Sequence, residues 1–288
     1  MIAVTSAAGF TGMKVIAALA RRGVPVRGVM HRPEQGAAVR AAGAAEAEAA
    51  DLLDETALAY AFCGCDAVYH VAPRISLDEV AMGRAAIAAA RRAGVARFVF
   101  HGVAHPYIQA MPHHWDKLQV QLMLEQSEMP YSVIQPSNYM QNIMWAWDTL
   151  LAERVYRLPY SSSTPLTWVD ANDVAEAAAR VVTDATFTGG CYELCGPDGA
   201  LSRHDVSSLL SQATGLDTTA GEAEWVDWQT LPRYQGWAPQ RMARLKAMFD
   251  YYGTFGFRAG NPKVLEMILQ RRARSYADVL RDVASAET

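Results

Sequence analysis

The chain has 288 residues, of which 51% are hydrophobic and 19% are charged, and its formal net charge is −4. This balance is typical of a globular protein with a full core, and it gives no bulk electrostatic reason to bind nucleic acid or an anionic membrane. No apolar run reaches the ~20 residues that span a bilayer, and the first residues have the pattern of a strand rather than a signal peptide. We therefore expect a cytoplasmic protein without a nucleic-acid or membrane partner.

The chain begins with a predicted strand at 1–4, a turn of small residues at 5–12 and a helix at 13–22. Such a turn lets the backbone approach a pyrophosphate, which the free N–H groups and the positive dipole end of the helix then bind. Gly9 and Gly12 match the last two glycines of a G-x-x-G-x-x-G nucleotide loop, whereas Ser6 stands where the first glycine is expected. The following strand at 24–30 supplies the βαβ context that the motif requires.

Strands and helices continue to alternate through the first half of the chain. Further strands are predicted at 67–71, 97–100 and 131–134, a helix within 36–50, and helices at 80–93 and 115–126. This alternation predicts an α/β fold with a Rossmann-type, doubly wound parallel sheet covered by helices on both faces.

The second half has a different pattern. A short strand is predicted at 166–169 and a helix at 170–182, and capping boxes at Ser202 and Ser275 open two more helices. We predict that residues 1–155 form the NAD(P)-binding Rossmann domain and that 166–182 return to it. Residues 156–288 are predicted to form mainly a smaller C-terminal α/β lobe that binds the substrate.

Seven short motifs carry a resemblance to a known family. They are TSAAGFTG (5–12), RP (32–33), ADL (50–52), HVAP (70–73), HHWDK (113–117), PSNYMQN (136–142) and WVDANDVA (168–175). In this order they resemble the NmrA-like family of the atypical short-chain dehydrogenase/reductase superfamily. That family includes reductases and also nucleotide-sensing regulators that turn nothing over, so the resemblance implies the fold more strongly than an activity.

Charge at the end of the second strand bears on the choice of cofactor. NAD-binding proteins usually place Asp or Glu there, but here Met30, His31 and Arg32 follow with no carboxylate before Glu34. An arginine fork suits a 2′-phosphate, so we predict that NADP(H) is preferred over NAD(H). The alternative is an Arg32 that points to water.

The predicted cofactor-binding residues combine the turn with positions implied by the resemblance. By that resemblance, Asp51 and Leu52 border the adenine, and Val71, Ala72 and Pro73 line its ribose. The complete set is Ser6, Ala8, Gly9, Phe10, Thr11, Gly12, Arg32, Asp51, Leu52, Val71, Ala72, Pro73 and Lys117.

The catalytic residues depart from the superfamily pattern, which has a Tyr four residues before a Lys and a Ser at the end of the fifth strand. Lys117 is present and is predicted to hold the nicotinamide ribose; the alternative is a surface cation beside Asp116. His113 stands in place of the Tyr and Gly102 in place of the Ser. A histidine can donate a proton near neutral pH, so His113 is a candidate acid, and His114 is an equal candidate by proximity. The alternatives are capping of the helix or positioning of the ligand.

The candidate substrate-binding residues are His114, Tyr139, Met140, Met144 and Trp145. The last four follow the sixth strand, where doubly wound folds bind ligands, although they could instead pack the two lobes together.

We predict an NADPH-dependent, ketoreductase-like enzyme without the usual Ser-Tyr-Lys triad. Its substrate would be a small molecule, namely a bulky aromatic or polyketide-like carbonyl, a quinone or an enone. The product anion of such a molecule is already stabilised and needs little help from a protein acid. The alternative is a non-catalytic NAD(P)-sensing regulator of the NmrA type. We expect a monomer or homodimer without a metal site.

Overall fold

The computed structural model describes residues 1–286, and its main feature is a sheet of seven parallel strands, beside which lie two small sheets made by the other strands. The strands are β1 (Ile2–Val4), β2 (Val26–Met30), β3 (Glu46–Ala49), β4 (Ala67–His70), β5 (Arg97–His101), β6 (Tyr131–Pro136), β7 (Asn138–Tyr139), β8 (Val155–Leu158), β9 (Leu166–Val169), β10 (Cys191–Leu194), β11 (Ala200–Leu201) and β12 (Thr219–Glu222). The large sheet has the order β10-β6-β5-β4-β1-β2-β3. The strand order reverses between β1 and β4, which creates the crevice where doubly wound folds bind ligands.

Helices cover both faces of this sheet, and further helices lie beside it. They are α1 (Phe10–Arg21), α2 (Gly36–Ala41), α3 (Glu55–Phe62), α4 (Glu79–Arg92), α5 (Pro112–Glu125), α6 (Trp147–Glu153), α7 (Ala171–Thr183), α8 (Arg203–Thr214), α9 (Trp225–Trp228), α10 (Pro239–Phe255), α11 (Pro262–Leu269) and α12 (Tyr276–Ala286). Helices α1, α2, α7 and α11 enclose a first core, and α3, α4 and α5 enclose a second. No helix within residues 1–286 combines the length and apolar composition needed to cross a bilayer.

The central strands β1 and β4 are almost entirely apolar because alternate residues face the two cores. In β4, Ala67 and Tyr69 pack in the first core and Val68 packs in the second. In β5, Val99 packs in the first core and Phe98 in the second. These observations confirm the predicted Rossmann-type parallel sheet.

A third core lies under the C-terminal helices and is rich in aromatic side chains. It contains Trp147, Tyr156, Trp168, Phe249 and Tyr276, among others. Two small sheets border it, one with the order β11-β9-β7 and one that pairs β12 with β8. These strands and helices form the part of the molecule beside the carboxyl end of the large sheet.

Two elements differ from the sequence-based expectation. The stretch 36–50 contains, besides α2, the edge strand β3, whose alternating Glu and Ala residues lack a strand-like composition. Its pairing with β2 decides the structure, and Arg27 of β2 donates to Glu46 at 2.6 Å. Strand β10, from the segment assigned mainly to the second lobe, is the seventh strand of the large sheet. Helix α7 packs in the first core, while the division of the chain at residue 155 stays a prediction.

Candidate functional site

The turn between β1 and α1 is so tight that glycine is required within it. A Cβ on Gly12 would lie 2.4 Å from the Ser6 carbonyl oxygen, and one on Gly9 would lie 3.1 Å from the same atom. Ser6 has a φ of 45°, in the left-handed region that favours glycine. Ser6 therefore adopts the conformation that the first glycine of the motif normally supplies.

The start of α1 can accept an anion. Gly9 is its N-cap, and within residues 1–286 no side chain caps this end and no carboxylate lies in its first turn. The first N–H groups of a helix have no partner inside the helix, and its dipole places positive charge there. A tight cradle of small residues at this end fits the pyrophosphate of a dinucleotide.

A cavity of about 510 Å³ adjoins this turn. It is lined by Ser6, Ala8, Gly9, Val29, Met30, His31, Gln35, Ala50, Asp51, Leu52, Leu53, Pro73 and Met82. Six of the predicted cofactor residues are among them, namely Ser6, Ala8, Gly9, Asp51, Leu52 and Pro73. The structure therefore brings the turn, the residues after β3 and Pro73 together around one cavity.

The other predicted cofactor residues do not line this cavity. Val71 and Ala72 are buried, Phe10 is exposed, and Thr11 and Gly12 lie within the first turn of α1.

Arg32 also lies outside the cavity wall. Its side chain is 63% exposed, and its Nε lies 3.5 Å from Glu34 Oε1. The wall instead contains His31 and Gln35, and Gln35 accepts a hydrogen bond from the Arg32 backbone N–H at 3.1 Å. Neither His31 nor Gln35 was predicted to bind the cofactor, because the sequence argument for this loop depended only on the charge of Arg32.

Lys117 lies in α5 and is mostly buried, at 15% exposure. Its ammonium donates to Glu79 Oε1 at 2.8 Å and to the His101 carbonyl at 3.2 Å. The alternative of a surface cation beside Asp116 does not agree with this burial, and Asp116 pairs with Arg244 at 2.5 Å instead. An ammonium has three N–H donors, and one of them keeps no hydrogen-bond acceptor within residues 1–286.

His113 does not cap its helix. Helix α5 begins at Pro112 after Met111, without a side-chain cap, and the buried Nδ1 of His113 has no hydrogen-bond partner within the described residues. Burial, with the nearby His114 and the charge of Lys117, lowers the pKa of His113 well below 6.5. The imidazole is therefore neutral at pH 7 and is not a cationic acid.

Two of the predicted substrate residues lie in cores. His114 is 1% exposed, its Nδ1 lies 3.2 Å from the His105 carbonyl, and burial lowers its pKa to about 4. Met140 is fully buried in the third core, and its carbonyl accepts a hydrogen bond from Tyr276 at 2.9 Å. In this structure neither side chain has a surface on which a ligand could rest.

Tyr139 takes part in a buried polar chain that sequence reasoning did not identify. Its hydroxyl lies 3.0 Å from His101 Nε2, and His101 Nδ1 contacts the Tyr69 hydroxyl. The Tyr139 ring packs 6.0 Å from that of Phe10, at the start of α1. Burial lowers the pKa of His101 to about 3 and raises the pKa of Tyr139 above its usual value of 10. The phenol therefore stays protonated and can donate a hydrogen bond.

Met144 and Trp145 form a partly exposed wall, at 39% and 36% exposure. The Arg74 guanidinium stacks on the Trp145 ring, with 3.8 Å between its carbon and the ring centroid. Because Arg74 directly follows Pro73, this wall adjoins the nucleotide cavity.

A family model described as the NmrA-like family matches residues 1–279. The chain belongs to the NmrA-like family. The resemblance inferred from the seven motifs is thereby confirmed. Among the relatives of this NmrA-like protein is the NAD(P)H azoreductase of Xenophilus azovorans, which is 30% identical over 217 residues, or 75% of this chain and 74% of that protein.

Solved structures share the fold of this NmrA-like protein. An NADPH-dependent quinone oxidoreductase from Escherichia coli, complexed with NADPH, superposes with a TM-score of 0.84 at 23% identity and covers 98% of this chain and 99% of that one. The negative transcriptional regulator NmrA, in complex with NAD, superposes with a TM-score of 0.79 at 19% identity, covering 99% and 95%. The fold thus occurs both in an enzyme and in a regulator, so the fold alone does not distinguish these two functions.

Proposed function

We propose that this NmrA-like protein is an NADPH-dependent reductase of bulky aromatic acceptors, quinones and enones foremost. One observation carries the proposal: the nucleotide cavity and the aromatic wall meet at consecutive residues, Pro73 and Arg74. A nucleotide sensor has no need of a partly exposed Trp145 beside its cofactor. The azoreductase and quinone oxidoreductase relatives support the reductase over the regulator.

The residues present suit the parts of an NADPH molecule. The turn at Ser6 and Gly9 and the start of α1 would hold the pyrophosphate, and Asp51 and Leu52 would border the adenine. Arg32, with His31 and Gln35 nearby, would hold the 2′-phosphate. The remaining N–H donor of Lys117 would hold a ribose hydroxyl.

The polar groups around the site limit the chemistry that it can assist. When bound, NADPH supplies a hydride, and the accompanying proton comes from solvent. The Tyr139 phenol is engaged with His101 Nε2 at 3.0 Å, and burial makes it a weaker acid than an ordinary phenol. His113 and His101 are neutral at pH 7, so neither imidazole acts as a cationic acid that could supply the proton. The site therefore suits acceptors whose reduced anions are already stabilised, such as quinones, over simple ketones.

The test is consumption of NADPH by purified protein, followed by its absorbance, with naphthoquinone, phenanthrenequinone and acetophenone. We expect turnover of the quinones and little or none of acetophenone. Trp145→Ala should lower kcat/KM for the quinones roughly tenfold, because an aromatic contact contributes about 0.5–1.5 kcal/mol. Tyr60→Ala, which removes an exposed aromatic from α3, is the matched control and should change nothing. No turnover with any acceptor, together with a protein partner captured only in the presence of NADP(H), would favour the NmrA-type sensor.

A further inference from the structure

Three arginines converge on tryptophan rings beside the proposed acceptor wall. Arg74 lies 3.8 Å from the Trp145 ring centroid and 5.3 Å from that of Trp237. Arg241 stacks on the other tryptophan, Trp237, at 3.8 Å. Arg233 lies 5.4 Å from the ring of Trp228 and 5.7 Å from the ring of Tyr234, and the Tyr234 ring packs 5.2 Å from that of Trp237. We call Arg74, Arg233, Arg241, Trp145 and Trp237 the arginine–tryptophan cluster.

The positive charge of this cluster has no counter-ion in the protein. Within residues 1–286, no carboxylate forms an ion pair with Arg74, Arg233 or Arg241, whereas Arg244, one turn further along α10, pairs with Asp116. Arg241 donates to the Arg74 carbonyl at 2.7 Å, and its buried Nε has no partner. Like charges held together and left unpaired attract an anion from solution.

The backbone next to Arg74 is strained and is fixed by the packing of Ile75. Ile75, the next residue, has a φ of 51°, a conformation that a β-branched residue rarely adopts, and its side chain is buried in the third core. Such strain persists only where the surrounding structure enforces it, and it concentrates at functional sites. The anchored Ile75 thus fixes Arg74 between the nucleotide cavity and Trp145.

We propose that the arginine–tryptophan cluster binds the acidic substituent of an aromatic acceptor, so that the preferred substrates carry a sulfonate or carboxylate on the ring. A guanidinium pairs with such a group through two parallel hydrogen bonds, and the partly exposed Trp145 ring supplies an aromatic contact for the arene. The proposal rests on the proposed function, because it names the class of molecule that occupies the same wall. The cluster would select among aromatic acceptors by charge.

Binding is tested without turnover, by calorimetry on the full chain saturated with NADP⁺. The two probes are naphthalenesulfonate and naphthalenesulfonamide, which differ in charge and little in shape. We expect the sulfonate to bind at least about tenfold more tightly, with a preference that weakens as salt is added. Arg74→Gln should abolish most of the preference and Arg74→Lys should keep part of it.

Two further variants guard against an indirect effect of Arg74. Arg233→Gln should also reduce the preference, and the guanidinium of Arg233 makes ring contacts but no hydrogen bond or ion pair within residues 1–286. Arg22→Gln, an exposed position after α1, is the control that keeps the wild-type preference. Equal binding of both probes by the wild type would overturn the proposal and show the arginines to be structural contacts of α10 and the 72–78 loop.

Turnover separates this proposal from the proposed function. The ratio of kcat/KM for a sulfonated naphthoquinone to that for the uncharged parent should exceed about ten in the wild type and approach one in Arg74→Gln. Turnover of both quinones at equal kcat/KM would overturn the charge preference and leave the reductase assignment intact. Tight binding of the sulfonate without any NADPH oxidation would instead overturn the reductase assignment and, with it, the role of the bound anion as a substrate, while the anion site itself would stand.

Discussion

Arg32 is the residue on which the proposed preference for NADPH over NADH depends most. Its side chain is 63% exposed and pairs with Glu34 at 3.5 Å. Surface ion pairs of this kind contribute about 0–1 kcal/mol, whereas a charged hydrogen bond contributes about 1.5–3 kcal/mol. A 2′-phosphate can therefore draw Arg32 away from Glu34, and His31 and Gln35 line the neighbouring cavity wall.

Replacement of Arg32 by Ala should weaken NADPH binding roughly ten- to hundredfold and change NADH binding little, because only NADPH carries the extra phosphate. Glu34→Ala is the matched control: it removes the competing carboxylate and should strengthen NADPH binding slightly. Calorimetric titration of both cofactors into the three proteins measures this. Equal affinity of the wild type for NADPH and NADH would contradict the role of Arg32.

At the scale of elements, the Lys117–Glu79 pair joins α5 to α4 and to the end of β5. Glu79 is 3% exposed, so Lys117→Ala leaves a buried carboxylate without its partner and should lower the free energy of unfolding by about 3–5 kcal/mol. The double variant Glu79→Leu/Lys117→Met removes both charges and should recover much of this loss. Urea unfolding of the single and double variants gives the comparison.

The same double variant tests whether Lys117 also binds the cofactor. If the third N–H donor of Lys117 holds a ribose hydroxyl, the folded double variant should bind NADPH several-fold more weakly. A wild-type affinity in this variant would assign Lys117 to the stability of the α4–α5 packing alone.

For the whole molecule, buried histidines predict a loss of stability in acid. Burial lowers the pKa of His70 and His101 to about 3 and that of His114 to about 4, all below the ordinary value of 6.5. Below about pH 6.5 the unfolded chain binds protons that the folded chain does not, so protonation favours unfolding. Each histidine should remove roughly 1.4 kcal/mol of stability per pH unit from about pH 6.5 down to about pH 4.

Urea unfolding as a function of pH tests this expectation. His70→Gln should give a shallower dependence in this range, whereas His204→Gln, at an exposed position in α8, should keep the wild-type slope. A free energy of unfolding that stays constant from neutral pH to about pH 5 would show that the three imidazoles are accessible to protons in the folded state.

The sequence alone determined the features that depend on neighbouring residues. Apolar periodicity located most strands and helices of the first half, and the Gly9–Gly12 turn led us to propose a pyrophosphate site at the start of α1. The order of the seven motifs identified the family, because each motif is a local pattern at a fixed place in a shared fold. Strand β3 was missed, since its Glu and Ala residues become a strand only through pairing with β2.

Only the tertiary structure decided which distant side chains meet. Glu79 lies 38 residues from Lys117 in the chain, and His101 lies 38 residues from Tyr139, so no local pattern indicates either contact. Arg241 reaches the Arg74 carbonyl across 167 residues. Such contacts depend on how complete elements pack on the sheet, and burial within that packing sets the charge of each histidine. The glycine turn is therefore a property of the sequence, whereas the polarity and charge around Tyr139 and Trp145 are properties of the fold.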